Sequence, residues 1–110
     1  MPPPEPTQLT ILVFVERERW VAQCLQLDIA AQGSDIDDAL EAWMLTFASQ
    51  IISDAAVGRV PFSNVPPAPP EYFERSRAAR PTSERHILRL PSDVPAQWTT
   101  RTLDAEVRVA

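Results

Sequence analysis

Hydrophobic alternation begins at Gln8. Leu9, Ile11, Val13 and Val15 alternate with Thr10, Leu12, Phe14 and Glu16, so the middle of the run is apolar on both sides. Such a run predicts a strand buried on both faces, with β-branched side chains suited to a pleated surface. Glu16-Arg17-Glu18-Arg19 is a polar cluster placed to close a hairpin, although it lacks the Asn-Gly or other glycine pair that favours a two-residue turn. Trp20 to Leu27 predicts a second strand with Val21, Leu25 and Leu27 on one face. Ile29 to Gln32 predicts a third, ended by Gly33. There the period lengthens. Ile36, Leu40, Trp43 or Met44, Phe47 and Ile51 recur at helical spacing, and Leu45 and Ile52 widen the stripe. Ser34 is the predicted N-cap, with Asp37 three residues on. Asp35, Asp37, Asp38 and Glu41 fill the first turns, where the helix dipole favours negative charge. The helix is expected to end near Ala56, with Gly58 available at its C-terminus.

Past Gly58 the style changes. Val60 to Pro70 carries prolines too densely for helix or central strand, which predicts a semi-rigid connector with Phe62 and Val65 as apolar anchors. Pro70 to Ala79 predicts a short helix with proline in its first turn. Arg85 to Leu90 alternates as a strand does, and Ala105 to Ala110 as a last, edge strand. The expected organisation is a disordered Pro-rich leader at 1–7, a core at 8–58, and a Pro-rich extension at 59–110 with a short helix and one or two strands. The expected class is α+β: a three-stranded antiparallel meander followed by one long helix on the sheet.

The chain has 110 residues, one domain's worth. Its 12 prolines against 2 glycines fit the connector just described. All 10 basic residues are arginine, and the formal net charge is −5. That charge is divided: residues 1–58 carry nine acids against Arg17 and Arg19, whereas 59–110 carry six acids against eight arginines. A net-acidic chain is poorly suited to nucleic-acid binding by phosphate neutralisation. The apolar runs Ile11–Val15 and Met44–Ile52 are far short of the ~20 residues of a membrane helix. The first residues offer neither a basic nor an apolar segment of a signal peptide. One cysteine, Cys24, and one histidine, His86, cannot build a disulfide or a standard zinc site, so a reducing, cytoplasmic setting is expected.

The segment Trp20-Val21-Ala22-Gln23-Cys24-Leu25-Gln26-Leu27-Asp28-Ile29-Ala30-Ala31-Gln32-Gly33-Ser34, continuing Asp35-Ile36-Asp37-Asp38-Ala39-Leu40-Glu41-Ala42, resembles the HicB-like antitoxin family. The resemblance lies in an aromatic with Val-Ala entering the second strand, Gln-Gly-Ser before the helix, and acid-x-Ala-Leu within it. It covers about residues 8–55. It implies a truncated ribonuclease H-like fold, β-β-β-α-β, and a small acidic protein that forms homo-oligomers, a dimer or higher. It also implies a protein partner, in bacterial toxin–antitoxin pairs a small basic HicA toxin that the antitoxin neutralises. The family's usual C-terminal helix-turn-helix or ribbon-helix-helix module finds no counterpart in 59–110. Ile87-Leu88-Arg89-Leu90-Pro91 resembles only the opening strand of a ribbon-helix-helix unit, which leaves a DNA-binding regulator acting through 85–110 as a lesser alternative.

A second alternative is a nucleic-acid-processing enzyme of ribonuclease H type, with Glu16, Asp28 and Asp54 as remnants of a two-metal site. As solvated acids at strand and helix ends they are simpler to explain. Cys24, in an apolar strand, reads as a buried structural thiol rather than a nucleophile. The expected protein is therefore non-enzymatic, with no cofactor, no metal, no membrane and no nucleic-acid partner. The residues expected to meet a protein partner are Glu16, Glu18, Trp20, Asp35, Asp38 and Glu41, acids that steer a basic surface and one aromatic anchor.

Overall fold

The computed structural model describes residues 8–88, 94–95 and 103–110, with the backbone alone for 82–88, 103 and 104. In chain order the elements are β1 (Gln8–Glu16), β2 (Arg19–Cys24), β3 (Ala30–Gly33), α1 (Ile36–Ala56), α2 (Pro70–Ala78), β4 (Arg80–Leu88) and β5 (Leu103–Val109). They build one five-stranded mixed sheet in the order β3-β2-β1-β5-β4. β1, β2 and β3 form the antiparallel meander, and α1 packs on β3 and β2 as the class requires.

β1 is the strand buried on both faces. Leu9, Ile11 and Val13 join Ala22, Cys24, Ile29, Ala105 and Val107 beneath Ala39, Trp43, Phe47 and Ile51 of α1. Leu12 and Phe14 point the other way, joining Val21, Leu25 and Ala79 against Tyr72 and Phe73 of α2. The alternation therefore serves two cores, one beneath each helix.

The structure departs from the periodicity in several places. β2 stops at Cys24, not Leu27, because the chain turns there: the Ile29 amide donates to the Leu27 carbonyl at 2.7 Å, and the Cys24 amide to that of Ile29 at 3.0 Å. That turn separates the expected trio: Val21 and Leu25 face α2, whereas Leu27 packs under α1. The α1 cap is Asp35 rather than Ser34, its carboxylate accepting from the Asp38 amide at 2.7 Å. Asp38 in turn accepts from the amide of Ser34 at 2.8 Å, one residue before the cap, whereas in a capping box it would accept from the cap residue itself. β4 begins at Arg80, five residues before the alternation suggests, with a register irregularity between Pro81 and Arg85. β5 is not an edge strand. It runs parallel to β1, Ile11 opposite Val107, and is flanked on its other side by β4. Its Ala105 and Val107 carry the α1-side core onward, and short-range alternation holds no information about which distant strand will pair.

At the far end of α1 the Gly58 amide donates to Ala55 at 3.1 Å and the Arg59 amide to Asp54 at 2.8 Å. With Gly58 at φ +71°, this is the Schellman arrangement. The connector is tied down as its apolar anchors suggest. Phe62 stacks on Phe47 at 4.7 Å. The Asp28 amide donates to Pro66 at 2.7 Å, and that of Ala68 to Leu25 at 2.9 Å. Among the described residues no helix is long and apolar enough to cross a membrane.

Candidate functional site

Two local structures meet at one end of the sheet. The first is the β1–β2 hairpin, in which Glu16 pairs with Arg19 across a two-residue turn of Arg17 and Glu18. Both turn residues lie in the left-handed region, at φ 51° and 65°. That is the geometry of the tight hairpin turns usually given to Asn-Gly, imposed here on two charged, β-carbon-bearing residues. The second is the entry to α1. Gly33 pairs with Trp20, which in turn pairs with Val15 beside the turn. Gly33 also lies against the backbone of Asp38 and Ala39, so the first turn of the helix is pressed onto the strand beside the hairpin.

The carboxylates Glu16, Glu18, Asp35, Asp37, Asp38 and Glu41 are all exposed at this end, with Arg17 and Arg19 among them, a net charge of −4. The Ser34 amide and hydroxyl hold the Asp38 carboxyl below the usual range, and the charge of Arg19 adds to this. Arg19 therefore feels the helix entry across the junction. Trp20 is half-buried and packs on the edge of the α1-side core. Glu16, Arg17, Arg19 and Gln32 line an open groove of about 400 Å³. The six residues expected to meet a partner thus fall on two adjoining segments of one surface. Arg17, Arg19 and Gln32 join them, and only the polar quartet at 16–19 hinted at that.

The carboxylates considered as ribonuclease H remnants do not converge. Glu16 sits at the hairpin end, while Asp28 follows the opposite end of β2, about 17 Å away at the rise of a strand. Asp54 is not a solvated helix-end acid. It is 1% exposed and accepts from the Phe62 amide at 2.9 Å, from Gln50 Nε2 at 3.1 Å and from Arg59 at 3.5 Å. Burial pushes its pKa up, but the Phe62 amide, Gln50 and Arg59 outweigh that and hold it below the usual range. Sequence gave no sign of this, because the amide that fixes Asp54 lies beyond the helix. Among the described residues no group of three or more His, Cys, Asp or Glu is arranged to hold a metal. Cys24 is buried, and burial pushes its thiol pKa up against the backbone donors of Leu27, Gln26 and Leu25. Trp43 is fully buried, its indole donating to the Ile29 carbonyl at 3.0 Å, and Trp98 lies outside the described residues.

On the α2 face, Arg75 stacks over the Phe14 ring at 4.1 Å. Arg108 donates to the carbonyls of Ser76 and Ala79 at 2.8 and 3.2 Å, and to Glu106 at 3.1 Å. These arginines are engaged within the chain.

No protein-family model, no curated protein and no solved structure matches this chain.

Proposed function

We propose that the chain is a non-enzymatic, HicB-like interaction protein that neutralises or scaffolds a basic protein partner through its acidic end. One observation carries the reading: the hairpin and the α1 entry bring six exposed carboxylates and the half-buried Trp20 onto one surface. A surface of this kind attracts a basic partner over distance, speeds its encounter and fixes its orientation, while the aromatic offers apolar area at contact. The same acids also cap α1, so capping accounts for Asp35 and Asp38 without a partner. Glu16, Glu18 and Glu41 have no such duty among the described contacts, and they are the better reporters of binding. Homo-oligomer formation and a cytoplasmic setting belong to the same proposal, as does a small basic toxin as the partner.

The test is co-purification from the native host at low and high salt, comparing the wild type with Glu16→Lys/Glu18→Lys/Glu41→Lys. A small basic protein retained by the wild type, and released both by salt and by the variant, is expected. Recovery of the chain alone, or retention indifferent to salt and to the three reversals, overturns the reading.

A further inference from the structure

The connector between α1 and α2 displays a ridge of proline. Proline fixes its own φ at about −65° and drives the residue before it to extended ψ. In Val65-Pro66-Pro67-Ala68-Pro69-Pro70 at least one of these restraints acts on every residue. Pro69 accordingly sits at φ −54° and ψ 149°, in the polyproline II region. That helix has about three residues per turn, so 65 and 68 share one edge, 66 and 69 a second, and 67 and 70 a third. Burial follows the same period. Ala68 is buried and Val65 packs on the α1-side core, whereas Pro66, Pro67, Pro69 and Pro70 are exposed. Both outer edges are therefore proline alone, at positions i and i+3.

The chain holds the segment in this form. The Asp28 amide donates to the Pro66 carbonyl at 2.7 Å, the Ala68 amide to Leu25 at 2.9 Å, and the Tyr72 amide to Pro69 at 3.1 Å as α2 begins. Between Pro66 and Pro70 the Ala68 amide is the one backbone N–H, and it is used, so no donor remains for a neighbouring strand. No charged residue occurs from Val60 to Pro70, which offers nothing to a basic protein or to phosphate. What is left is a row of apolar rings with carbonyl acceptors, that of Pro67 having no donor among the described residues. Aromatic side chains complement such a surface. Their flat faces pack against the proline rings, and Tyr or Trp brings a donor for a carbonyl.

We infer that residues 66–70 are a docking ridge for a protein domain whose aromatic-lined groove reads polyproline II. Because the ridge is anchored at both ends, the ordering that a free peptide needs is already done. It uses none of the acids at the hairpin end, so it stands or falls without the basic partner proposed above.

Titration of an isotope-labelled WW domain, whose groove is of this kind, with the full chain tests it by nuclear magnetic resonance. Wild type is expected to shift the aromatic resonances of the groove saturably, and to bind at least as tightly as a free peptide spanning 64–71. Pro66→Ala/Pro69→Ala and Pro67→Ala/Pro70→Ala each strip one outer edge. Stripping the edge seated in the groove is expected to weaken binding about tenfold. Pro81→Ala, at an exposed proline of β4, is expected to leave it unchanged. Circular dichroism checks that each variant folds. A wild type that shifts no groove resonance overturns the proposal, as does binding that both double variants retain. A free peptide that binds while the chain does not overturns it too, because the fold then covers the ridge.

Discussion

Gly33→Ala tests how α1 is seated on the sheet. A β-carbon built at Gly33 would lie 2.3 Å from the amide nitrogen of Ala39, 2.6 Å from the carbonyl carbon of Asp38 and 2.8 Å from Cα of Ala39. All three are backbone atoms of the first turn of α1, so no side chain can swing away to make room. Gly33 is needed for space, not for conformational freedom, since its φ lies outside the left-handed region. Relief requires the helix entry to move by about 1 Å, to ordinary van der Waals separation near 3.5 Å. That motion lifts Ala39 and Trp43, both fully buried, from the sheet and disturbs the Asp35 cap. Overpacking of a core costs 1–3 kcal/mol, and an unyielding backbone obstruction belongs at the upper end, about 3 kcal/mol. For a chain of this size that lowers the melting temperature by about 12 °C. Urea unfolding followed by tryptophan fluorescence would measure it, with Gly58→Ala as the comparison. Gly58 has open space around its missing β-carbon but a φ of +71°, so its substitution costs about 1 kcal/mol through the backbone alone. A Gly33→Ala protein within 0.5 kcal/mol of wild type would refute the close-approach argument.

The strained hairpin predicts the opposite sign: Arg17→Asn/Glu18→Gly is expected to raise stability by about 1 kcal/mol, read as a higher denaturant midpoint at unchanged slope. An unchanged or lower midpoint would mean that the left-handed turn stores no strain. Asp54→Ala is expected to cost about 2 kcal/mol, because the Phe62 amide, Gln50 and Arg59 all lose the buried carboxylate they share. The Asp54 pKa is lower folded than unfolded, so its ionised form stabilises the fold above the unfolded value of about 3.9. That contribution is lost as pH falls through the folded value, and acid titrations of Asp54→Asn should show a flatter loss of stability than wild type. Cys24, buried with a raised thiol pKa, is expected to resist alkylation in the native state and to react only as fast as the protein opens, measured by thiol labelling in increasing urea. Labelling within seconds in native buffer would contradict its burial.

The elements with a local cause were legible in the sequence. β1 and α1 follow from side-chain periods of two and 3.6, set by backbone geometry whatever lies around them. The end of α1 followed from Gly58, and the Phe62 and Val65 anchors marked the connector as one that packs back. The acids of the candidate surface were visible too, as two separate groups at 16–18 and 35–41. Their union was not, since it depends on Gly33 admitting the helix backbone against a strand whose partner, Trp20, adjoins the hairpin. Tertiary structure alone decided that β5 enters the sheet beside β1. It likewise decided that Asp54 is buried. Each of these depends on a partner distant in the chain, or on register, whereas periodicity reports only which face a residue shares with its neighbours.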